Sequence, residues 1–460
     1  MRLSKILTLG LVLAACAGHL AQPSRPYVQP LFLRDVTLID GTGAPPRPHV
    51  SVLVTGGNIE EIGDAATMDW PRGALLVEGR GRYLIPGLWD VHVHMAFGEE
   101  TDLGVLVANG VTSVRDMGGD LIVLDAWRAR IDKGELVGPR IYRAGPTVDG
   151  YKEGLPHRLT IANAEDARKA VATLQKTGVD FIKIHNAVPR EAFFALAEEA
   201  RRRNFPFAGH VPMTVEPAEA AEAGQRSVEH IATLIEGTYN ARFPNEAASL
   251  EDMPRWVREE VPRLAQVFKR NGTWFDPTLI AYDLRARRGA LDEHPDPRTR
   301  YASPALRQYW DTAFPSSERD RNPENIARRK EFVKLGQEIT RRMHEAGVPI
   351  VVGTDIAGRH VLPGFSVHDE MALLVEAGLS PLEALQAATI EPARLLSVAG
   401  AHGTVEPGKA ADLVLLEGDP LADVRNVGKV SAVVLRGRLL EREALDGLLA
   451  RVPSSPPPAE

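Results

Sequence analysis

The sequence predicts an α/β fold: a (β/α)8 TIM-type barrel with a small β-sandwich domain formed by the N- and C-terminal segments. Two observations predict this fold. Eight short apolar runs, from "LWDVHVH" to "PIVVGTD", alternate with amphipathic helical stretches. This alternation is typical of parallel βαβ units, and eight of them are typical of a barrel. β-rich stretches also stand before and after this region, so the two ends of the chain are expected to pair.

The β-rich blocks cover residues 31–84 and 399–445, and the barrel is expected over residues 85–398. Runs such as "LFLRDVTLID" have the apolar content of strands, and the pair Asp40-Gly41 predicts a turn. The connection between "TWFDPTL" and "PIVVGTD" is long, polar and helical. We expect it to form a pocket wall, because barrel active sites lie at the loop-bearing C-terminal face.

Residues 1–16, "MRLSKILTLGLVLAAC", predict a lipoprotein-type signal peptide, because the apolar stretch after the basic start is too short to span a bilayer. The end of this segment resembles a bacterial lipobox, in which Cys16 receives a lipid anchor. The alternative is an ordinary cleaved signal with an incidental cysteine. We therefore expect an exported protein of the bacterial cell envelope, lipid-anchored at the outer membrane or free in the periplasm. Residues 17–30 predict a tether, and residues 446–460 a disordered tail.

Composition and missing motifs argue against several classes of protein. The chain has 460 residues, a formal net charge of −7 and no long basic run, which disfavours a nucleic-acid partner. Cys16 is the only cysteine, so disulfides and cysteine-based metal sites are excluded. The sequence also contains no G-x-S-x-G elbow, no H-E-x-x-H helix and no phosphate-binding loop. Serine hydrolases, thermolysin-like proteases and nucleotide-dependent enzymes would lack their usual motifs.

Residues that can bind a metal ion lie in five of the eight apolar runs, mostly at their ends. In "DVHVH" both histidine side chains point the same way, because successive residues of a strand alternate between its faces. The carboxyl ends of barrel strands meet at one face, and neutral imidazoles and carboxylates suit divalent metals. For each residue alone, the alternative is a hydrogen-bonded structural role. The candidate ligands are His92, His94, Lys183, His210, His230 and Asp355.

Several segments resemble the metal-dependent amidohydrolase superfamily, over about residues 33–445: "LIPGLWDVHVH", "GVDFIKI", "GHVP", "GQRSVEH", "VVGTD" and "GTVEPGKAADLVLL". The resemblance is greatest to the branch of imidazolonepropionase-like proteins and Xaa-Pro dipeptidases. It implies a distorted barrel with a terminal β-sandwich, and two divalent metal ions. Zinc is the first choice for both, with manganese, iron or cobalt as alternatives. It also implies that His92, His94 and Asp355 hold one ion, and that His210 and His230 hold the other.

Lys183 decides between two types of metal site. The apolar run from Phe181 to Ile184 must bury its ammonium group, which is unfavourable unless the charge is paired or removed. By resemblance, Lys183 is carboxylated by CO2 and bridges two metal ions together with a hydroxide. One alternative is a structural lysine paired with a buried carboxylate. The other is a mononuclear, deaminase-like site, but such relatives usually carry a glutamate where this chain has Met213.

The resemblance implies a hydrolase that cleaves an amide-type C–N bond in a small molecule, such as a dipeptide or an N-acyl amino acid. By resemblance, a metal-bridging hydroxide would attack the carbonyl, and Asp355 would pass a proton to the leaving amine. One alternative is a cyclic-amide hydrolase like imidazolonepropionase, although that pathway is cytoplasmic and the chain carries an export signal. The other is a catalytically silent envelope binding protein on the same scaffold. Relatives often assemble, so a homo-oligomer is also expected as an option.

Three further residues are candidates for substrate binding. His185 shares a face with Lys183 if the fourth strand continues regularly; the alternative is a loop histidine. His368 follows the eighth run and is expected to support the site or to contact substrate. Arg115 ends the second run and could bind a substrate carboxylate, whereas the alternative is a salt bridge to a neighbouring acid.

Overall fold

The computed structural model describes residues 29–151, 156–235 and 253–453. The predicted signal peptide, including Cys16, lies outside the described residues, as do most of the predicted tether and the end of the predicted tail. Across the described ranges, no helix combines the length and the apolar character needed to cross a membrane.

Strands from both ends of the chain form one sheet. Its N-terminal members are β1 (Leu31–Leu38), β2 (Arg47–Thr55), β3 (Asn58–Asp64), β4 (Leu75–Glu78) and β5 (Tyr83–Pro86). Its C-terminal members are β15 (Leu413–Leu416), β16 (Val430–Leu435) and β17 (Arg438–Glu441). The strand order is β17-β16-β15-β5-β1-β2-β3, with β4 paired to β1. The two ends meet where β5 runs antiparallel to β15, with Leu84 opposite Leu415. The pairing of the two terminal blocks is therefore confirmed, and they form one hydrogen-bonded sheet with its own apolar core.

The middle of the chain supplies parallel strands separated by helices. The strands are β6 (Leu88–Val93), β7 (Val111–Asp116), β8 (Arg140–Arg143), β9 (Thr147–Asp149), β10 (Arg158–Thr160), β11 (Ile182–Ile184), β12 (Phe207–Gly209), β13 (Ser227–Glu229) and β14 (Trp274–Asp276). The middle strands pair as β6-β7-β8 and as β10-β9-β11-β12-β13-β14, and every pair is parallel.

The described helices alternate with these strands or follow them. Their bounds are Glu100–Ala108, Leu121–Asp132, Ala164–Lys176, Arg190–Arg202, Pro217–Glu222, Met253–Glu259, Val261–Asn271, Leu279–Glu293, Pro304–Ala313, Pro323–Glu345, Phe365–Glu376, Pro381–Ala387, Ile390–Leu395 and Arg442–Ala450. Ala164–Lys176 shows why such segments are helical. The Asn163 side chain accepts hydrogen bonds from the first turn, and Val171 and Leu174 bury one face.

The eighth apolar run, residues 349–356, lies between the two ends of the parallel arrangement. The Val91 amide donates to the Val352 carbonyl at 2.9 Å, and the Phe275 amide donates to the Pro349 carbonyl at 3.0 Å. Isolated bridges join this run to β6 and β14. The α/β class and the parallel strands are thus confirmed. The strand pairing itself gives two parallel sheets, so a closed barrel remains a prediction.

The long connection packs close to the strand ends. Leu306 and Trp310, in the helix Pro304–Ala313, form an apolar cluster with Ala357 and Leu362. Both of these follow Asp355 closely, so the connection covers the segment that leaves the eighth run.

The predicted disordered tail is wrong for residues 446–450, because they belong to the helix Arg442–Ala450. Leu445 and Leu448 lie three residues apart on one face of this helix, and both are buried. Leu448 packs beside Gly104 of the helix Glu100–Ala108. That burial of apolar surface stabilises the helix, and a polar composition downstream does not remove it.

Candidate metal centre

Four of the six predicted ligands meet around one imidazole. His92 lies in β6 and is fully buried, and Lys183 of β11 places its Nζ atom 3.4 Å from His92 Nε2. Asp355 places Oδ1 at 3.5 Å from the same nitrogen and at 3.6 Å from His94 Nε2. Because parallel strands bring their carboxyl ends to one face, residues about 90 to 260 positions apart come into contact here.

The two remaining ligands complete the cluster. His210 follows β12 and His230 follows β13. The centroid of the His230 ring lies 4.6 Å from that of His92 and 4.7 Å from that of His210. The structure therefore brings all six sequence-predicted side chains to one site.

The hydrogen bonds of three histidines leave Nε2 as the ligand atom. His94 Nδ1 lies 2.8 Å from the Gly118 carbonyl, and His210 Nδ1 lies 2.6 Å from Asn186 Oδ1. His230 Nδ1 lies 2.8 Å from the Thr278 hydroxyl, which itself donates to the Pro277 carbonyl. Each acceptor therefore requires a proton on Nδ1, which leaves the lone pair on Nε2. Metal-binding histidines show this arrangement, so the donor set fits divalent ions.

His92 differs because both of its nitrogens face charged groups. Nδ1 lies 3.3 Å from Asp276 Oδ2 and 3.5 Å from Glu229 Oε2. Neither this nitrogen nor the Asp276 carboxylate has a hydrogen bond among the described residues, although all are buried. Asp276 is therefore the nearest acid available to orient His92.

Two groups of side chains have the spacing to hold an ion. Ligand atoms of His92, His230 and Asp355 lie within 4.8 Å of one another, and so do those of His92, Glu229 and Asp276. In the second group, Glu229 is already paired with Arg115, whose positive charge disfavours a cation there. The first group contains three of the predicted ligands, so it fits a metal better.

Burial sets the protonation of the site. Desolvation lowers the pKa of His94 and of His230 to about 3, so both rings are neutral at pH 7, as metal binding requires. Burial also lowers the pKa of Lys183 to about 8, against the opposing attraction of Glu229. It raises the pKa of Asp355 to about 6, although the nearby Lys183 acts in the opposite direction.

Backbone geometry marks the same residues. His230, Thr278 and Asp355 have φ angles of 71°, 48° and 61°, in the left-handed region that non-glycine residues seldom adopt. Such conformations are concentrated at functional sites, where the surrounding structure enforces them. Here the left-handed conformations direct three side chains toward the site: the His230 imidazole, the Thr278 hydroxyl bonded to it, and the Asp355 carboxylate.

Arg115 is not available for a substrate carboxylate, which corrects one of its two predicted roles. Its side chain is 1% exposed. Nε donates to the Val91 carbonyl at 2.6 Å, Nη1 to Ser227 at 2.8 Å and Nη2 to Glu229 at 2.8 Å. The structure shows the alternative, a salt bridge, because β7 directs this side chain into the protein beside Glu229.

The two candidate substrate histidines occupy different places. The His185 ring is tilted by 33° against the His210 ring, with centroids 4.3 Å apart, and His185 Nδ1 lies 2.9 Å from Asp149 Oδ2. It therefore borders the metal centre. His368 instead has Nε2 at 2.8 Å from the Asn109 carbonyl and is buried. This packing contact corrects its predicted substrate role, because the ring is held at the end of a helix rather than by the cluster.

Sequence reasoning missed several residues that support the site. Glu229 directly precedes His230 and Asp276 ends a strand, so both carry the strand-end signal that identified the ligands. Asp149 ends β9 and Arg158 begins β10, two short strands in which the sequence analysis found no candidates. Thr278 carries no sequence signal for its role.

The Amidohydrolase family pattern matches residues 83–440, so this chain belongs to the amidohydrolase family. Ochratoxinase of Aspergillus niger is 25% identical over 466 residues, which cover 86% of this chain and 83% of that protein. Imidazolonepropionase of Thermoplasma acidophilum is 32% identical over 108 residues, or 22% of this chain and 25% of that protein.

Solved structures agree. A bottromycin amidohydrolase is similar with a TM-score of 0.74 at 27% identity, covering 92% of this chain and 90% of that chain. A Xaa-Pro dipeptidase with bound methionine has a TM-score of 0.67 at 23% identity, covering 90% and 100%, and so shares the fold. The predicted family is confirmed, and the chain is a hydrolase of the class that acts on carbon–nitrogen bonds.

The substitution Asp276→Leu tests the orientation of His92. We expect metal affinity to fall by about 10- to 100-fold, because His92 loses the acid facing Nδ1. Competition with a chelator, followed by metal analysis, measures the change. Asp446→Leu is the control, since Asp446 forms an exposed pair with Arg442. Unchanged affinity in a folded Asp276→Leu protein would show that Asp276 does not support the ligand.

Proposed function

We propose that this chain is a binuclear metal-dependent amidohydrolase that cleaves the amide bond of a dipeptide or an N-acyl amino acid. The observation that carries this proposal is the cluster that His92 forms with the five other predicted ligands. A closed (β/α)8 barrel would account for the convergence, and the bridges of the eighth run to β6 and β14 support it. The full-length similarity to ochratoxinase supports amide hydrolysis.

In this proposal His92, His94 and Asp355 hold one ion, and His210 and His230 hold the other. When bound, the ions polarise the substrate carbonyl and make a water molecule acidic enough to serve as a nucleophile at neutral pH. Zinc is the first choice, with manganese, iron or cobalt as alternatives, because histidine and carboxylate ligands accept all four.

Carboxylated Lys183 would complete the site. The side chain is 1% exposed and touches His92, so an ammonium group there is poorly solvated and adds positive charge between metal ligands. Carboxylation converts this cation into an anion and supplies two oxygen ligands. Burial lowers the pKa of Lys183 to about 8, which increases the fraction of the neutral amine that reacts with CO2.

Asp355 is suited to carry the proton in the reaction. Its side chain is 32% exposed, unlike that of His92, so it faces both the ligands and the approach from solvent. Burial raises the pKa of its carboxyl group to about 6, which brings it closer to neutral pH, where a proton carrier is most effective. Oδ1 or Oδ2 accepts a proton from the attacking water and delivers it to the leaving amine. His185, at the edge of the cluster, would contact the substrate.

Metal content tests the binuclear proposal first. Protein purified without chelators and with bicarbonate should contain about two equivalents of metal per chain. With ¹³C-bicarbonate, a carbamate signal should appear in the ¹³C NMR spectrum of the wild type and of Lys169→Met, an exposed control lysine. The signal should be missing from Lys183→Met. One equivalent without a carbamate would favour a mononuclear site; no metal and no activity would favour the silent binding protein.

The proton role of Asp355 gives a second prediction. Asp355→Asn should lower kcat on any accepted substrate by about 100- to 10,000-fold, because the amide group cannot accept the proton. At least one equivalent of metal should remain bound, as measured on the same preparation. Asp446→Asn serves as the control. Full activity in Asp355→Asn would rule out the proton transfer.

We also propose that the chain is exported and lipidated at Cys16, on the evidence of residues 1–16 alone. Mass spectrometry of the mature N-terminus tests this. A diacylated Cys16 as the first residue supports it, and Cys16→Ser should abolish the modification. A mature chain that begins after Cys16 and carries no lipid would contradict the anchor and leave export intact.

A further inference from the structure

Arg158 lies at the edge of the metal centre and has no role in the mechanism described above. Its Nη1 donates to Asp149 Oδ2 at 3.0 Å, and the same oxygen lies 2.9 Å from His185 Nδ1. The centroid of the His185 ring in turn lies 4.3 Å from that of the His210 ring. The guanidinium is therefore linked to a metal ligand through two side chains.

Asp149 holds this arrangement rigidly. Its side chain is fully buried, and Oδ1 accepts the amide hydrogens of Gly150 at 2.9 Å and Ala187 at 2.8 Å. Those two backbone bonds fix the carboxylate, so that Oδ2 presents a stationary partner to Arg158. A charge-assisted contact to a fixed acid orients the guanidinium at little further loss of side-chain freedom.

Arg158 keeps unused donors. A guanidinium has five N–H groups, and across the described residues Arg158 forms one side-chain hydrogen bond, through Nη1. Its side chain is 21% exposed, whereas Arg115 is 1% exposed and has all three nitrogens engaged. Burial lowers the pKa of Arg158 even though Asp149 acts in the opposite direction. An additional anion would therefore be stabilised here.

An apolar surface lies between Arg158 and the ligands. Phe97 and Tyr309 are half-buried and stack with centroids 4.3 Å apart. The Phe97 ring lies 6.1 Å from His94 and 5.9 Å from His157, the residue before Arg158. Tyr309 is also close enough to Asp355 and Arg158 for both charges to affect its pKa. A ligand reaching from the metal centre to Arg158 would pass this stacked pair.

We propose that Arg158 binds the carboxylate of the substrate, while Phe97 and Tyr309 contact the apolar side chain beside that carboxylate. Preferred substrates are then amide-linked apolar amino acids with a free carboxyl group. This assignment rests on the proposed amide hydrolysis, but it concerns recognition and not the bond-breaking step. Arg158 is thus a specificity-determining residue, held in place by Asp149.

Binding of small probes that are not acylated amino acids tests the assignment directly. The probes are 3-phenylpropanoate and 3-phenylpropanamide, which share one carbon skeleton but end in a carboxylate and in a neutral amide, and calorimetry of the metal-loaded protein gives both dissociation constants. Wild type should bind the carboxylate at least about tenfold more tightly than the amide, as expected for charge-assisted hydrogen bonds. Arg158→Gln should abolish this preference, and Arg158→Lys should retain part of it because the charge remains.

Arg128→Gln is the matched control. Arg128 is another partly exposed arginine paired with an acid, since Nη1 lies 3.5 Å from Asp180. This variant should keep the full preference. If Arg158 had only a structural role, Arg158→Gln would weaken the binding of both probes by the same factor. If Arg158→Gln fails to fold, as judged by thermal unfolding, Arg158→Lys decides: an unchanged acid-to-amide ratio contradicts the proposal.

The outcomes also separate recognition from catalysis. Loss of acid preference in Arg158→Gln, without amide hydrolysis by wild type, supports this site and contradicts the proposed function. Hydrolysis of N-acetyl-L-phenylalanine and its amide with equal kcat/KM contradicts this site and leaves the hydrolase intact. Retention of the preference in Arg158→Gln, or its absence from wild type, overturns the proposal.

Discussion

The buried imidazole of His92 is the constraint around which the centre is organised. Its Nε2 faces Lys183 and Asp355, and its Nδ1 faces the acid Asp276. A ring with no exposed surface cannot rotate to suit one neighbour without disturbing the other. The ligands and the acids beside β13 and β14 therefore form one unit. Arg115 donates a hydrogen bond to Glu229, one of these acids. Its positive charge therefore pairs with the negative charge that is buried beside the ligands.

The sequence was sufficient to predict which residues form the cluster, because strand periodicity and βα alternation determine where a side chain points and at which face a strand ends. The sequence was insufficient where a contact with a distant residue determines the role of a side chain. Two roles were predicted for Arg115, and the choice between them depended on Glu229, which lies 114 residues away. His368 likewise depends on the Asn109 carbonyl, 259 residues away. No local pattern carries such information.

The fold shows the same division. The apolar content of the terminal blocks predicted that they pair, but not that β5 and β15 would join them in one sheet. The eighth run was recognisable as apolar, yet it is not an assigned strand. It makes bridges at Ile350 and Ile356, and between them Asp355 takes a left-handed conformation that interrupts regular pairing. The residue that interrupts regular pairing is thus one of the six predicted metal ligands.

The contact between Asp276 and His92 also explains a neighbouring glycine. A Cβ atom on Gly353 would stand 2.7 Å from Asp276 Oδ1 and 2.7 Å from the Cβ of His92, closer than real Cβ contacts come. Gly353 has no left-handed φ, so backbone conformation is not what requires a glycine at this position. The glycine of "VVGTD" therefore leaves room for the Asp276 carboxylate to approach the His92 imidazole. Even the methyl group of an alanine would collide with both side chains.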